Sequence, residues 1–566
     1  MATISHLPAE LVEYIYAYLA QPELNAVSRV NTGSNALAVP FLYRNVDLFI
    51  GSGDKVPRID RFCMNILKDE RLAARVETIR LGPSSKEGVK EGQRWIPRDA
   101  NFDDTGMKDL IAKVLDKESL VSRNDYLRDA LLMREYAAYA SLILMVLPSL
   151  RKLYIADFNC ATLDHLHTVL RNLDPGSDWN RRHASGDLMQ RLSSISAISY
   201  NVDDLSGNTY PMYSSRFNLI PMLNLPNITR LDFSVPDRFE TRARPGITLL
   251  PTANTWTPRD LILRPDQMGN VTTMVIRHSD CAYRTVQSCL SSACQLQSFT
   301  YEFLYDCKER SDAPSQWLDL SAWSSALPKS LRTLVMSVEN CDTAAYPFKQ
   351  PRMGDKLYGY LDLTYHTALH TLEVPFPFLT GDPNFSITTE IYPLLPPNLR
   401  HLSLRTDMTN AQHQFPFDTS VLSTNLTFQE SEDEARHLVN ARMDVSYMFH
   451  AAMTILDFAT NLDTISVWQP ADASLEWFDG QVADFSQTCR NKYIKGHLVY
   501  PMIMRKKKLE HWNLVKQATV YDPSRPDSKR FEAFFRGERA GIPLGLASQY
   551  HLHALRNHLV RVRLLS

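Results

Sequence analysis

The sequence predicts an α/β protein, in which a short all-α N-terminal module precedes an irregular repeat of parallel strands with outer helices. Three observations predict it. An amphipathic helical stripe occupies the first residues, a strand-like apolar pattern recurs along most of the chain, and no signature of a catalytic fold interrupts that pattern. The expected division is 1–48 for the helical module, 49–515 for the repeats with their insertions, and 516–566 for a C-terminal extension or cap.

The helical stripe comes first. Leu7, Leu11, Ile15 and Leu19 recur every four residues and share one helix face. Pro8 suits an early helical position, and Glu10 places negative charge in the first turn, where the helix dipole favours it. Pro22-Glu23 breaks the helix, and Leu24, Val27 and Val30 begin a second apolar face. A segment below about 40 residues rarely buries enough surface to fold alone. It must dock on the rest of the chain or on a partner.

The pattern Leu7-Pro8-x-Glu10-Leu11-x3-Ile15-x3-Leu19-x4-Leu24-x2-Val27-x2-Val30 is followed by Leu37-Ala38-x-Pro40-x-Leu42-Tyr43-Arg44. Together they resemble an F-box as fungal F-box proteins carry it. The resemblance implies that Leu7, Pro8, Leu11, Ile15, Leu19, Leu24, Val27 and Val30 bind the Skp-type adaptor of a cullin–RING ubiquitin ligase. The remainder of the chain would then capture a protein substrate. The chain departs from the family after the valine, where basic residues and then Trp or Phe usually follow. Here the run is Asn31-Thr32-Gly33-Ser34, which lacks that aromatic anchor, a favoured kind of interface hot spot.

The body repeats the pattern apolar-x-x-apolar-x-apolar. Copies begin at Val76, Leu150, Ile195, Ile228, Val271, Leu296, Leu331, Leu369, Leu399 and Leu462, and Leu509-x2-Trp512-x-Leu514 offers a further one. Several are introduced by Leu-Pro, as at Leu147-Pro148, Leu225-Pro226-Asn227, Leu327-Pro328 and Leu395-Pro396-Pro397-Asn398. Each copy resembles the strand of a leucine-rich repeat, although the spacing of roughly 25 to 75 residues exceeds the regular 20–29. Cys160, Cys281 and Cys341 share one offset within their copies and each follows Asn or Asp, which suits a buried turn position. Two longer helices are expected, at Tyr126–Leu147 and Glu432–Leu462, with surface loops at Gly82–Asp104 and Tyr521–Asp527.

In such a solenoid the residues between the inward ones face a binding surface. That set comprises Thr78, Arg80, Lys152, Tyr154, Arg230, Asp232, Val275, Arg277, Thr300, Glu302, Thr333, Val335, Glu373, His401, Ser403, Arg405, Ser466 and Trp468. Arg, Tyr and Trp dominate interface energetics, so the substrate-binding candidates are Arg80, Tyr154, Arg230, Arg277, Arg405 and Trp468. The alternative for each is a solvated strand face.

Composition narrows the remaining classes. Lys and Arg number 61 against 63 Asp and Glu, a net charge of −2, so bulk electrostatics draw neither nucleic acid nor anionic membrane. No basic leader precedes a long apolar core, and the longest apolar run, Tyr136–Leu147, falls short of the about 20 residues a membrane helix needs. A cytoplasmic or nuclear protein is expected, and the triplets at Asn227, Asn270, Asn384 and Asn425 are then chance matches to a glycosylation acceptor. Eight cysteines without a CxxC pair fit a reducing compartment. GxSxG, HExxH, P-loop and GxGxxG motifs are missing. His165 and His167 do not share a helix face. His551, His553 and His558 lack a nearby thiol. Cys281, Cys289, Cys294, Cys307 and His278 are unevenly spaced for zinc. The expectation is therefore a receptor with no catalytic site, metal or cofactor. One rival is a binding scaffold outside the ligase, with the first helices capping the repeats, and a second is an enzyme with an unrecognised site in one of the long insertions. Arg505-Lys506-Lys507-Lys508 reads either as a nuclear-import signal or as a solvated turn.

Overall fold

The computed structural model describes residues 7–19, 21–51, 56–83, 95–97, 104–117, 124–156, 163–170, 173, 186–201, 222–234, 268–279, 283–306, 318–341, 357–381, 394–411, 428–470, 475–501, 514–525 and 530–535. The chain forms two compact units that divide between Phe233 and Ser234. Both are built from mostly parallel strands alternating with helices.

The first unit begins with α1 (Ala9–Tyr16), α2 (Gln21–Ser28) and α3 (Thr32–Arg44). It continues with β1 (Asn45–Ile50), α4 (Ile59–Lys68), α5 (Glu70–Ala73), β2 (Thr78–Pro83), α6 (Asp104–Lys117), α7 (Asn124–Leu132) and α8 (Tyr136–Val146). β3 (Lys152–Ala156), α9 (Asp164–Leu170), α10 (Gly186–Leu192), β4 (Ala197–Asn201) and β5 (Arg230–Ser234) complete it. The strands lie side by side in chain order, and the row Asn45–Thr78–Lys152–Ala197 is in parallel register. β1 was not foreseen as a copy. Tyr43, Val46 and Leu48 nonetheless carry the apolar pattern, so the end of the helical module doubles as the first strand, and residue 48 lies inside β1.

The second unit holds β6 (Thr273–Ser279), α11 (Tyr283–Ser292), β7 (Ser298–Asp306), β8 (Leu318–Asp319), α12 (Leu320–Ala326), β9 (Thr333–Cys341), β10 (Leu357–Tyr358), β11 (Thr371–Pro375) and α13 (Phe376–Thr380). β12 (His401–Arg405), α14 (Phe428–Phe458), β13 (Thr464–Trp468), α15 (Asp479–Lys492), β14 (Lys495–Pro501), β15 (Leu514–Tyr521) and β16 (Arg530–Phe535) follow. One in-register parallel row runs Thr273–Ser298–Thr333–Thr371–His401–Thr464–Lys495. β15 and β16 are antiparallel additions beyond β14. Leu514 therefore opens an antiparallel strand, and the copy expected to end there is corrected. The parallel strand is β14, masked in sequence because Gly496 fills its apolar position. A Cβ on Gly496 would stand 2.8 Å from Cys489 Sγ.

The copies are joined by shared carbonyls. Glu77 O accepts from Arg151 N (2.8 Å) and Lys152 N (3.0 Å), and Arg151 O accepts in turn from Ser196 N and Ala197 N. The same fork recurs at Ser196, Thr272, Gln297, Arg332, His370 and Arg400. Each acceptor is the second residue of its copy. The Leu-Pro-Asn turns add a side chain to the join: Asn227 Nδ2 donates to Ser193 O and Asn398 Nδ2 to Thr367 O, both at 2.8 Å. The apolar positions of the copies are buried.

The helix expected over Tyr126–Leu147 is two helices, α7 and α8, broken at Arg134, which has φ 65°. The break turns the Arg134 guanidinium onto Asp60, a fully buried carboxylate that Arg58 also engages at 2.9 Å. α8 is buried nearly all round, as its composition implies. Its Tyr136 hydroxyl donates to Leu48 O (2.6 Å) and accepts from Gly82 N (3.0 Å), tying β1 to β2. Gly82 has φ 105°, and a Cβ there would lie 1.8 Å from Ala156 O. The helix expected at Glu432–Leu462 is α14. Of the loop expected at Gly82–Asp104, Trp95 pairs with Glu135 and 84–94 lie outside the described residues. Asp522–Arg525 forms a turn whose Ser524 donates to Asp522 Oδ1, as expected for the loop at Tyr521–Asp527.

Replacing Asp60 by Ala strands the buried Arg134 charge, and breaking such a pair costs about 3–5 kcal/mol. Urea unfolding of the D60A chain should show a loss of that order, and a loss below about 1 kcal/mol would contradict the role given to the pair.

Candidate functional site

Two surfaces carry the candidate residues. The first is the three-helix module, whose own core is Val12, Tyr16, Leu24 and Ala38, with Leu19, Val27, Leu37, Phe41 and Leu42 packed against it. Leu24 is thus a core residue, and Leu19 and Val27 are half-buried beside it; their expected place on the partner-facing surface is corrected. The reason is helical phase. The buried stripe of α1 runs Val12–Tyr16 and leads to Leu19, so the opposite stripe looks out.

That outer stripe holds Leu7, Pro8, Leu11 and Ile15, all exposed, with Leu11 at 51%. Val30 is exposed as well. Two residues missed in sequence complete the stripe: Tyr14 and Tyr18, 64% and 74% exposed, with Tyr18 donating to the Tyr14 hydroxyl at 3.0 Å. Their i, i+4 spacing beside Leu11 was the available signal. Pro8 is the residue just before α1, and its carbonyl accepts from Leu11 N and Val12 N. Asn31-Thr32-Gly33-Ser34, the departure from the family pattern, starts α3: Asn31 Oδ1 accepts from Ser34 N at 2.7 Å. An N-cap of this kind is worth about 1 kcal/mol.

The second surface is the strand face opposite the buried apolar positions. In the first unit it is partly open. Arg80 meets Asp47 at 3.6 Å and lies 5.3 Å from the Tyr154 ring, while Lys152 and Arg230 are exposed. In the second unit the face is covered at Arg277, Arg405 and Trp468, which corrects the expectation that these three face solvent. Arg277 meets Glu302 at 3.6 Å. Arg405 bonds Glu373 and Asp407, each at 2.8 Å, and lies 4.0 Å from the centre of the Trp468 ring. Trp468 Nε1 donates to Ser403 Oγ at 3.1 Å. Asp232, Val275, Glu302, Glu373 and Ser403 are buried too, against the same expectation. Thr78, Thr300, Thr333, Val335 and Ser466 are half-buried, and Lys152 and His401 are exposed. Opposite charges at neighbouring positions of adjacent strands, Arg277 beside Glu302 and Glu373 beside Arg405, were the legible sign that these arginines serve the interior.

The segment after β12 closes over the strand ends. Asp407 Oδ2 accepts from Val338 N (2.8 Å), and Asp444 of α14 accepts from Asn410 N (2.7 Å) and Nδ2 (2.9 Å). Burial pushes the Asp444 carboxyl up to about 6.

Chemistry-bearing groups are scattered. His165 meets Glu135 at 3.1 Å. Burial pushes the Cys289 and Cys489 thiols up to about 12 and raises that of Cys63 further, so all three stay protonated. Among the described residues no group of three or more His, Cys, Asp or Glu is placed to hold a metal, and no helix is long and apolar enough to cross a membrane. Cys160, Cys281, Cys307, His551, His553, His558, Asn384, Asn425 and Arg505–Lys508 lie outside the described residues, as do the side chains of His167, His278 and Cys341. No protein-family model matches the chain, and no curated protein is similar to it.

His497 on β14 is buried and neutral. Its Nδ1 faces Gln517 Nε2 and Thr519 Oγ1, both at 3.1 Å. Burial first, then the Lys495 charge, lowers it from 6.5 to about 4, with Asp522 opposing. A depressed histidine contributes stability above its unfolded value, and that contribution is lost as pH falls from about 6.5 to about 4. The unfolding midpoint of wild type should drop across this window more steeply than that of His497→Gln. Parallel slopes would contradict the assignment.

Proposed function

We propose that the chain is a substrate receptor of a cullin–RING ubiquitin ligase. In this reading α1 to α3 are an F-box that binds the Skp-type adaptor, and the strands form a degenerate leucine-rich-repeat solenoid that holds a protein substrate. The reading is carried by one observation. Leu7, Leu11, Ile15, Tyr14 and Tyr18 form an exposed apolar stripe on a module that already has its own core. Exposed apolar residues gathered in this way mark interaction sites more often than they occur by chance. The in-register copies with their shared carbonyls support the repeat, and the Leu7–Arg44 pattern supports the partner.

The mechanism is proximity. The receptor brings a substrate lysine and a charged ubiquitin carrier together and raises their effective concentration, while the bond-making residues belong to other subunits. No cofactor or metal enters, and the working compartment is the cytoplasm or nucleus.

A scaffold outside the ligase, with the helices as a cap, draws on one observation. α3 passes without a break into β1, and Asn65 Nδ2 donates to the Tyr43 hydroxyl at 2.9 Å. A cap, however, would spend its apolar stripe on the first strands, and Leu11 is instead exposed.

Leu11→Asp with Ile15→Asp should abolish co-purification of the Skp-type adaptor and cullin and leave the unfolding midpoint within about 1 kcal/mol of wild type, because both side chains are surface residues. Undiminished co-purification would remove the interface, and absence of a cullin from the wild-type preparation under mild conditions would favour the scaffold.

A further inference from the structure

We infer that the open strand face of the first unit is a docking site for an acidic, extended peptide segment of a partner protein. This names the partner class for the substrate surface of the proposed function, and it rests on that face being a docking surface, not on the ligase assignment. Two rows of residues define the face. The first runs Asn45–Thr78–Lys152–Ala197 in register, and Arg230 extends it, since Thr229 N and Arg230 N both donate to Ser196 O. The second runs Asp47–Arg80–Tyr154–Ser199.

Charge on these rows is uneven. At the β1–β2 side the ions are matched, Arg80 with Asp47 at 3.6 Å and Arg44 with Glu77 at 3.2 Å. Towards β5 they are not. Lys152 and Arg230 are exposed with no acidic partner among the described residues, Arg151 stands exposed beside Lys152, and the nearest acid on β5, Asp232, is buried. The second unit supplies the contrast: its strand-face arginines are each answered by a carboxylate, Arg277 by Glu302 and Arg405 by Glu373 and Asp407. Lys495, at the matching row position of the second unit, meets Asp522 at 3.1 Å. Among the described residues of these strand-face rows, Lys152 and Arg230 are thus the cations left without a carboxylate. An opposite charge brought there gains attraction without first breaking an ion pair.

The spacing favours an extended chain. Lys152 and Arg230 are two strands apart, about 10 Å at the usual interstrand distance, and only the small Ala197 lies between them. An extended polyproline-II segment advances ~3.1 Å per residue with about three residues per turn, so acidic side chains three residues apart share one face about 9 Å apart and reach both cations.

The test is fluorescence anisotropy of the full chain with a fluorescein-labelled peptide of Glu-Ser-Ser repeats. The expected result is binding that weakens with added salt and falls at least roughly tenfold in Lys152→Glu with Arg230→Glu. The neutral pair Lys152→Gln with Arg230→Gln should show a smaller loss, and it decides the matter if the reversed pair does not fold. Arg332→Glu with Arg400→Glu, on the second unit, should leave binding unchanged. No binding to wild type, equal binding of a Lys-Ser-Ser peptide, unchanged binding to both Lys152/Arg230 variants, or stronger binding of single-stranded RNA would each overturn the inference. Cullin co-purification is read separately, so failure here leaves the adaptor reading standing, and failure there leaves this one.

Discussion

The shared carbonyl at the second position of most copies is the constraint on which the rest depends. One oxygen accepts two N–H groups from the next copy, so each strand starts at a fixed point relative to its predecessor. A one-residue slip would turn every buried apolar residue out to solvent. With the register locked, linkers of very different length can be tolerated, because loop length adds only slowly to the closure cost. This is how copies spaced so unevenly still make in-register rows such as Thr273–Ser298–Thr333–Thr371.

The helical module is tied into the same scheme. Arg44, the last residue of α3, supplies the carbonyl that accepts from Glu77 N. The module is thus anchored through α3 while α1 is left free to face outward. Its small core of Val12, Tyr16, Leu24 and Ala38 relies on that anchor, since so short a segment holds too little buried surface of its own.

The two units treat their strand faces differently. In the second, a buried arginine stacked on Trp468 and held by two carboxylates covers the face where it lies. Such a cluster spends much of its attraction on desolvation, so its gain lies in fixing geometry more than in net stability. In the first, Lys152 and Arg230 keep their hydration and their charge remains available. Side-chain chemistry at equivalent positions thus separates an interior from a surface within one repeating plan.

The α/β class, the helical module and the starts of most copies follow from local pattern alone, because a period-four apolar repeat marks a helix and the recurring strand pattern names residues that must be buried. Asn227 and Asn398 were legible as turns for the same local reason. Where local pattern is silent, tertiary contacts decided. Gly496 hid β14 because a neighbouring helix leaves no room for a side chain, and Arg134 broke a helix in order to reach Asp60. The outward stripe of α1 lies one step away from the expected Leu7–Leu19 line, with Tyr14 and Tyr18 replacing Leu19, since only packing shows which side of a helix the core occupies. Strand alternation alone puts Arg277, Arg405 and Trp468 on the surface. Alternation tells which face of a sheet a residue is on, and only the assembled fold tells whether that face is covered.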